Sequence, residues 1–170
     1  DMDWQLELSE SVNLLRKLLA KGERLNVFCK GEIFRGLITG LTDAFVIDTE
    51  IKDRILAKEP TSTSLIRPFL QGTHLRPWFQ EVSNQWLILL PSGFTSKNSK
   101  AADEAKAASW IKSKYKILFE HLSQFEERAR KRQDQGQFWW ELRSCDYYDR
   151  FDKAKIYWPD IAKLPRFSMD

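Results

Sequence analysis

The chain has 170 residues and a formal net charge of +3, from 27 Lys and Arg against 24 Asp and Glu. This length suits one domain or two small ones, and a hydrophobic fraction of 42% is enough to build a core, which excludes a disordered tail. No run of about 18 apolar residues occurs, so we expect no membrane span. The chain does not open on a basic and then an apolar segment, so we expect no signal peptide and a cytoplasmic location. Because Met2 is preceded by Asp1, we expect a domain cut from a longer protein.

The first third of the sequence predicts one helix followed by short strands. Residues 9–21 place Val12, Leu15 and Leu19 along one side of a helix, and we expect this apolar stripe to face the core. Short apolar runs follow, separated by glycines and polar residues, and they favour strands because they are too short for helices. These runs are residues 25–29, 33–34, 37–38 and 45–47.

The rest of the sequence predicts two further strands and one long helix. Prolines interrupt residues 56–80, so we expect no long helix there, and the apolar run of residues 86–90 predicts a buried strand. Residues 92–100 predict a polar loop, and residues 155–158 predict a strand. Apolar side chains spaced four and three positions apart predict one long helix over residues 101–132. They are Ile111, Tyr115, Leu118, Leu122, Phe125 and Ala129.

These elements predict a single α+β domain over residues 1–170. We expect a mixed, twisted sheet, with the N-terminal helix and the long helix of residues 101–132 packed against it. The long helix falls in a basic stretch, because residues 97–132 carry ten Lys and Arg against five Asp and Glu, a net +5. Such a stretch is either a solvated helix face or a surface that contacts phosphates.

Sequence motifs for catalysis or metal binding are absent, apart from one weak pattern. The sequence contains no GxSxG, no GxxxxGK[ST] and no GxGxxG, and its two Cys and two His lack the spacing of zinc ligands. Glu50 and Lys52 form the E-x-K pattern found in metal-dependent nucleases, but this tripeptide is expected by chance when 30% of residues are charged. The residue types therefore favour a binding protein over an enzyme.

Four segments, in this order along the chain, resemble the TaqI-like C-terminal specificity domain. This domain is the target-recognition part of adenine-specific DNA methyltransferases and of fused type IIG restriction–modification enzymes. The segments are residues 31–48 (GEIFRGLITGLTDAFVID), 65–78 (LIRPFLQGTHLRPW), 86–88 (WLI) and 121–157, which includes HL, RQDQG, WWELR, YY and KIY.

Three positions depart from the pattern of that family. Thr42 stands where the family has Asn, which puts a side-chain-specific role there in doubt, and Ala154 stands where it has Pro. A Tyr-Pro before the long helix is replaced by Tyr115-Lys116, so we expect this helix to start earlier.

The resemblance implies a division of labour between this chain and the rest of its parent protein. An upstream methyltransferase domain would bind S-adenosylmethionine and modify a flipped adenine, while this chain would bind double-stranded DNA without a cofactor or catalytic residues. Small polar groups on two loops would read the DNA: Thr39, Gly40 and Thr42, and Gly72, Thr73 and His74. Positive side chains would anchor the phosphates: Arg35, Arg67, Arg76, Lys97, Lys100, Arg143, Lys153 and Lys155.

Other functions remain open at the level of the sequence. The chain resembles, less specifically, half of a type I restriction specificity subunit, in which the helix of residues 101–132 would be a spacer between domains. A protein- or glycan-binding module could use the seven tryptophans. A nuclease would depend on Glu50 and Lys52 alone.

Overall fold

The computed structural model describes residues 9–169, and the chain divides into two compact units between Gly36 and Leu37. The N-terminal unit contains two helices, α1 (Ser9–Lys21) and α2 (Leu25–Phe28). The predicted helix over residues 9–21 is confirmed. Residues 33–34 and 37–38, which predicted strands, lie outside helices and strands.

The apolar stripe of α1 does not face a core, so this prediction was wrong. The side chains of Leu14, Leu15, Leu18 and Leu19 are 48–59% exposed, and α1 contains no buried residue. A unit this small has too little chain to enclose a helix. The predicted strand at residues 25–29 is also wrong, because its backbone bonds are made locally: the Cys29 amide donates to the Leu25 carbonyl.

Residues 37–169 form an α+β unit with three small sheets. Its strands are β1 (Val46–Asp48), β2 (Ile66–Pro68), β3 (Leu75–Arg76), β4 (Phe79–Gln80), β5 (Gln85–Ile88), β6 (Ile156–Tyr157) and β7 (Ser168–Met169). The largest sheet has the order β1-β5-β2, and the other two are the pairs β3-β4 and β6-β7. All these pairings are antiparallel, so the predicted mixed sheet is wrong: β5 lies between β1 and β2 and runs antiparallel to both. The predicted strands over residues 86–90 and 155–158 are confirmed as β5 and β6.

Helices make up most of the regular structure of this unit. They are α3 (Thr42–Phe45), α4 (Thr49–Lys58), α5 (Phe94–Ser99), α6 (Glu104–Lys114), α7 (Lys116–Ser123) and α8 (Glu126–Lys131). Short 3₁₀ turns cover Pro60–Leu65, Gly72–His74 and Tyr148–Asp152. Across the described residues 9–169, no helix has the length and apolar character that crossing a membrane requires.

The single helix predicted over residues 101–132 is wrong, because α6, α7 and α8 replace it. Tyr115 leaves the helical conformation (φ −135°, ψ 56°), and the amide of Ile117 donates instead to the Glu59 carboxylate at 2.9 Å. A second break falls at Phe125 (φ −109°, ψ 5°). The apolar spacing still predicted burial correctly, since Ile111 and Leu122 lie in the core.

The two longest helices that the sequence did not predict are α4 and α5. Asp48 caps α4 by accepting a hydrogen bond from the Ile51 amide at 2.8 Å, a common signal at a helix start. Most of the predicted polar loop of residues 92–100 forms the helix α5. Gly93 (φ 80°) precedes this helix and Lys100 (φ 55°) follows it, both in left-handed conformations.

Candidate nucleic-acid interface

A buried arginine joins the surface segments that the sequence predicts to bind DNA. Arg132 is only 8% exposed, and its guanidinium donates to the main-chain carbonyls of Thr39 (2.6 Å), Trp139 (2.8 Å) and Glu141. It also lies over the ring of Phe45, 4.4 Å from the ring centroid. Burial lowers the pKa of Arg132 to about 10, so the group is charged at neutral pH. Arg132 belongs to the basic stretch of residues 97–132, but its contacts are internal.

The buried carboxylate of Glu141 holds the start of α5. Glu141 is fully buried, and it accepts hydrogen bonds from the amides of Gly93 (2.9 Å) and Thr95 (2.8 Å). The indole nitrogen of Trp140 donates to the Thr95 hydroxyl at 2.9 Å. The helix α5, which carries Lys97 and ends just before Lys100, is therefore fixed to the same segment that Arg132 binds.

The turn from Thr39 to Thr42 lies directly against this segment. Gly40 has φ 66°, and a Cβ atom there would lie 2.9 Å from Cβ of Asp134, so only glycine allows the approach. The Thr39 side chain is 6% exposed, and its hydroxyl oxygen lies 3.4 Å from that of Thr42. Of the three predicted base-reading residues of this turn, Gly40 and Thr42 are exposed and Thr39 is buried.

Arg143 is held beside the same turn by a carboxylate. Its guanidinium lies 3.1 Å from Asp134, and the Tyr148 hydroxyl donates to its main-chain carbonyl at 2.8 Å. Burial raises the pKa of Tyr148 to about 12, so this hydroxyl keeps its proton. Arg143 is half-exposed, but Asp134 already neutralises it.

The second predicted loop forms a hairpin with its own internal contacts. The Gln71 amide donates to Nδ1 of His74 at 3.2 Å. Arg76 donates to the Thr73 carbonyl at 2.8 Å and forms an ion pair with Glu81 at 2.9 Å. Gly72 and Thr73 are exposed on this loop. Arg76 is therefore partly occupied in holding the hairpin.

The C-terminal segment lies next to this hairpin and brings further predicted anchors. A Cβ atom at Gly72 would lie 3.1 Å from Cβ of Pro159. Arg67, on β2, lies 3.9 Å from Asp152, a weak ion pair at this distance. Lys155 donates to the Lys153 carbonyl at 2.8 Å, with its ammonium 5.1 Å from the Tyr157 ring centroid.

Ion pairs occupy about half of the basic stretch of residues 97–132. Arg130 pairs with Glu104 and Glu126, Arg128 pairs with Asp43, and the remaining paired cations are Lys106, Lys116 and Lys131. Four exposed lysines of this stretch have no carboxylate oxygen of residues 9–169 within 4.0 Å: Lys97, Lys100, Lys112 and Lys114. Lys112 and Lys114 are not among the predicted anchors. Their unpaired state depends on where the carboxylates lie, which the sequence alone does not reveal.

Two predicted anchors remain. Lys153, in the C-terminal segment, is exposed, and within the described part of the chain no carboxylate pairs with it. Arg35 is also exposed and belongs to the N-terminal unit. The predicted site residues of residues 37–169 thus fall into two groups. The segment from Arg132 to Glu141 connects the first group, which is Thr39, Gly40, Thr42, Lys97, Lys100 and Arg143. The second group lies on or beside the hairpin and the C-terminal segment, and is Arg67, Gly72, Thr73, His74, Arg76, Lys153 and Lys155.

The residues of the nuclease hypothesis do not form a common site. Glu50 and Lys52 lie two positions apart on α4, so they do not share a helix face. The Lys52 ammonium lies 2.9 Å from Asp53 and 4.1 Å from the Trp86 ring centroid. Among residues 9–169, no group of three or more His, Cys, Asp or Glu is placed to hold a metal ion.

The tryptophans divide between the core and the surface. Trp139 and Trp140 are 3% and 0% exposed, with Phe119 packed against both rings at centroid distances of 5.7 and 5.5 Å. Trp78 is 85% exposed and Trp158 is 38% exposed. Of these four rings, Trp78 and Trp158 are the ones that present exposed surface.

No protein-family model matches the chain, and no curated protein matches it.

Proposed function

We propose that the chain is a target-recognition domain, which binds double-stranded DNA sequence-specifically and carries no catalytic residues of its own. The observation that carries this proposal is the hydrogen bond from Arg132 to the Thr39 carbonyl, between residues 93 positions apart. It brings together the first and the last of the four segments that resemble the specificity domain. A shared fold would require these segments to meet, whereas a chance resemblance would not.

The break at Tyr115 gives the resemblance independent support. The family has a Tyr-Pro where this chain has Tyr115-Lys116, and α7 begins at Lys116. Proline is favoured at the first position of a helix, because the amide it lacks would have no partner inside the helix. A helix that starts at this position therefore suits both sequences.

Unpaired positive charge supports DNA as the ligand. Lys97 lies on α5, Lys100 directly follows it, and Lys112 and Lys114 lie on α6. The two helices pack together, with the ring centroids of Phe94 and Trp110 6.3 Å apart. Lysines without carboxylate partners are available to phosphates, and contacts of this kind supply most of the sequence-independent affinity for DNA.

The proposal extends to the parent protein. By the resemblance, it is an adenine-specific DNA methyltransferase of a bacterial restriction–modification system, and an upstream domain binds S-adenosylmethionine in the cytoplasm. The exposed leucines of α1 fit this arrangement, because contiguous apolar surface commonly marks the side that a partner domain covers. The type I alternative is weaker, since the spacer helix on which it depended is broken into three.

The experiment is a titration of labelled random duplex DNA at several salt concentrations, followed by fluorescence anisotropy. We expect the logarithm of the association constant to fall linearly with the logarithm of the salt concentration. Each phosphate that the protein neutralises should steepen this slope by about 0.9. The double variant Lys97→Gln/Lys100→Gln should lower the slope by about 2, and Lys58→Gln, an exposed lysine on α4, is the matched control. Selection from a randomised duplex pool then tests for a preferred sequence.

Two results would contradict the proposal. Binding that does not change with salt would exclude phosphate contacts and favour the aromatic-rich protein- or glycan-binding module. Equal slopes for the double variant and Lys58→Gln would place the DNA on a different face of the domain.

A further inference from the structure

Trp78 combines high exposure with an unfavourable backbone conformation. It lies in the two-residue turn between β3 and β4, its side chain is 85% exposed, and its φ is 73°. Residues other than glycine rarely adopt this conformation, and where they do, the surrounding structure must hold it. An exposed ring contributes little to stability, so packing of the Trp78 ring does not account for the turn.

The backbone around Trp78 is held from both sides while its ring remains in solvent. Arg76 pairs with Phe79 across the hairpin, and the Trp78 amide donates to the Phe167 carbonyl at 2.8 Å. Leu75, at the base of the hairpin, is buried. The turn is therefore fixed to the chain next to β7, and it presents the indole at a defined place.

Further rings and positive charges surround this position. Phe79 is 57% exposed and Phe167 is 37% exposed, which adds aromatic surface beside Trp78. Arg76, two residues before Trp78, is paired with Glu81, whereas Arg166, which directly precedes Phe167, has no carboxylate oxygen of residues 9–169 within 4.0 Å. Exposed aromatic faces next to cations are typical of surfaces that stack nucleic-acid bases, because every base has a π face and a nearby phosphate.

We propose that Trp78 stacks on an unpaired base of DNA bound to this domain. The inference rests on the proposed function, since it names a further contact in the same DNA complex. It assigns a binding role to a residue of the 65–78 segment outside the predicted site. The charge of Arg166 favours a polyanion over an apolar peptide or a neutral sugar as the occupant of this surface.

The experiment compares fully paired duplex DNA with the same duplex carrying one unpaired base. Binding is measured for the wild-type chain, Trp78→Ala, Trp78→Phe and Ile161→Ala. Ile161 is the control, because it is 93% exposed and apolar but has no ring. We expect Trp78→Ala to weaken binding of the unpaired-base DNA about tenfold, with little change for the paired duplex. Trp78→Phe should retain most of the affinity, and Ile161→Ala all of it.

A second measurement compares the wild-type chain with Trp78→Ala. With 2-aminopurine as the unpaired base, binding should quench its fluorescence, as stacking does, and Trp78→Ala should restore the emission. Melting temperatures confirm that each variant is folded.

The outcomes separate this inference from the proposed function. If the duplex binds with the expected salt dependence but Trp78→Ala binds both DNAs as the wild type does, the stacking role is wrong and the proposed function stands. An equal loss on both DNAs also overturns stacking on an unpaired base. If the wild-type chain binds neither DNA, the proposed function fails and the inference fails with it.

Discussion

Arg132 and Glu141 are both buried, yet each makes its hydrogen bonds with the main chain. The guanidinium of Arg132 donates to the carbonyl of Glu141, and the carboxylate of Glu141 accepts from the amides of Gly93 and Thr95. The two side chains therefore connect three stretches of backbone, at residue 39, residues 93–95 and residues 139–141. This relationship places the Thr39–Thr42 turn and α5 on one framework.

We predict that Arg132→Lys lowers the free energy of unfolding by about 2–3 kcal/mol. A lysine ammonium lacks the planar fork that reaches three carbonyls, and buried acceptors left without donors cost about 1–3 kcal/mol each. The measurement is urea denaturation, with Arg128→Lys as the control, because Arg128 forms an exposed ion pair with Asp43 worth less than about 1 kcal/mol. Similar losses for both variants would show that Arg132 does not hold the framework.

Gly40→Ala should destabilise the chain more than Gly93→Ala. Both glycines have positive φ values, 66° and 80°, so alanine at either position carries the same conformational cost of about 1–2 kcal/mol. At Gly40 a Cβ would also lie 2.9 Å from Cβ of Asp134, whereas at Gly93 the nearest atom is 3.9 Å away, on the flexible side chain of Gln137. Thermal melting of the two variants gives the comparison. If Gly93→Ala lowers the melting temperature as much as Gly40→Ala does, the close approach of the turn to Asp134 does not contribute to stability.

Leu122→Ala and Leu18→Ala test where the core lies. Leu122 is 1% exposed, and its truncation should cost about 2–5 kcal/mol, from lost transfer energy and the cavity that remains. Leu18, on α1, is 59% exposed, so the same substitution should change stability by no more than about 0.5 kcal/mol. Urea denaturation curves that follow the unfolding of the C-terminal unit check both values. A large effect of Leu18→Ala would mean that the apolar face of α1 is covered in the folded chain.

The stability of the chain should fall as the pH drops below about 6.5, the ordinary pKa of histidine, because of His121. Burial, aided by the charge of Arg54, lowers the pKa of His121, while the hydrogen bond from its Nε2 to the Ala44 carbonyl acts the other way. The unfolded chain then binds a proton at a pH where the folded chain does not, so acid favours unfolding until the pH passes below the folded pKa. His121→Gln should reduce the fall in unfolding free energy between pH 7.5 and pH 5.5, measured with urea. An unchanged pH dependence would assign the effect to other groups.

The sequence could not show which of the predicted DNA-binding residues are exposed and free of ion pairs, because this depends on what each side chain faces in the fold. Thr39 and Thr42 belong to one short turn, yet Thr39 is buried and Thr42 is exposed. Arg76 and Arg143 count as positive charges in the sequence, but Glu81 and Asp134 neutralise them in the fold. Glu81 lies five positions after Arg76 and Asp134 nine positions before Arg143, but a charge count does not show which of the neighbouring carboxylates will lie close.

Within residues 37–169, the sequence by itself identified buried faces. The apolar run before Pro91 forms the central strand β5, and the spacing from Ile111 to Ala129 identified a buried face, because apolar periodicity follows burial where an element packs on a core. On α1 the same kind of spacing predicted burial wrongly, since a local pattern does not show whether a core lies against it. The tertiary structure decided where the helices end and which charges stay unpaired. The chain leaves the helix at Tyr115, where the amide of Ile117 donates to the carboxylate of Glu59. These two residues are 58 positions apart in the sequence. A local pattern has no access to such a partner, because only folding brings the two groups within hydrogen-bonding distance.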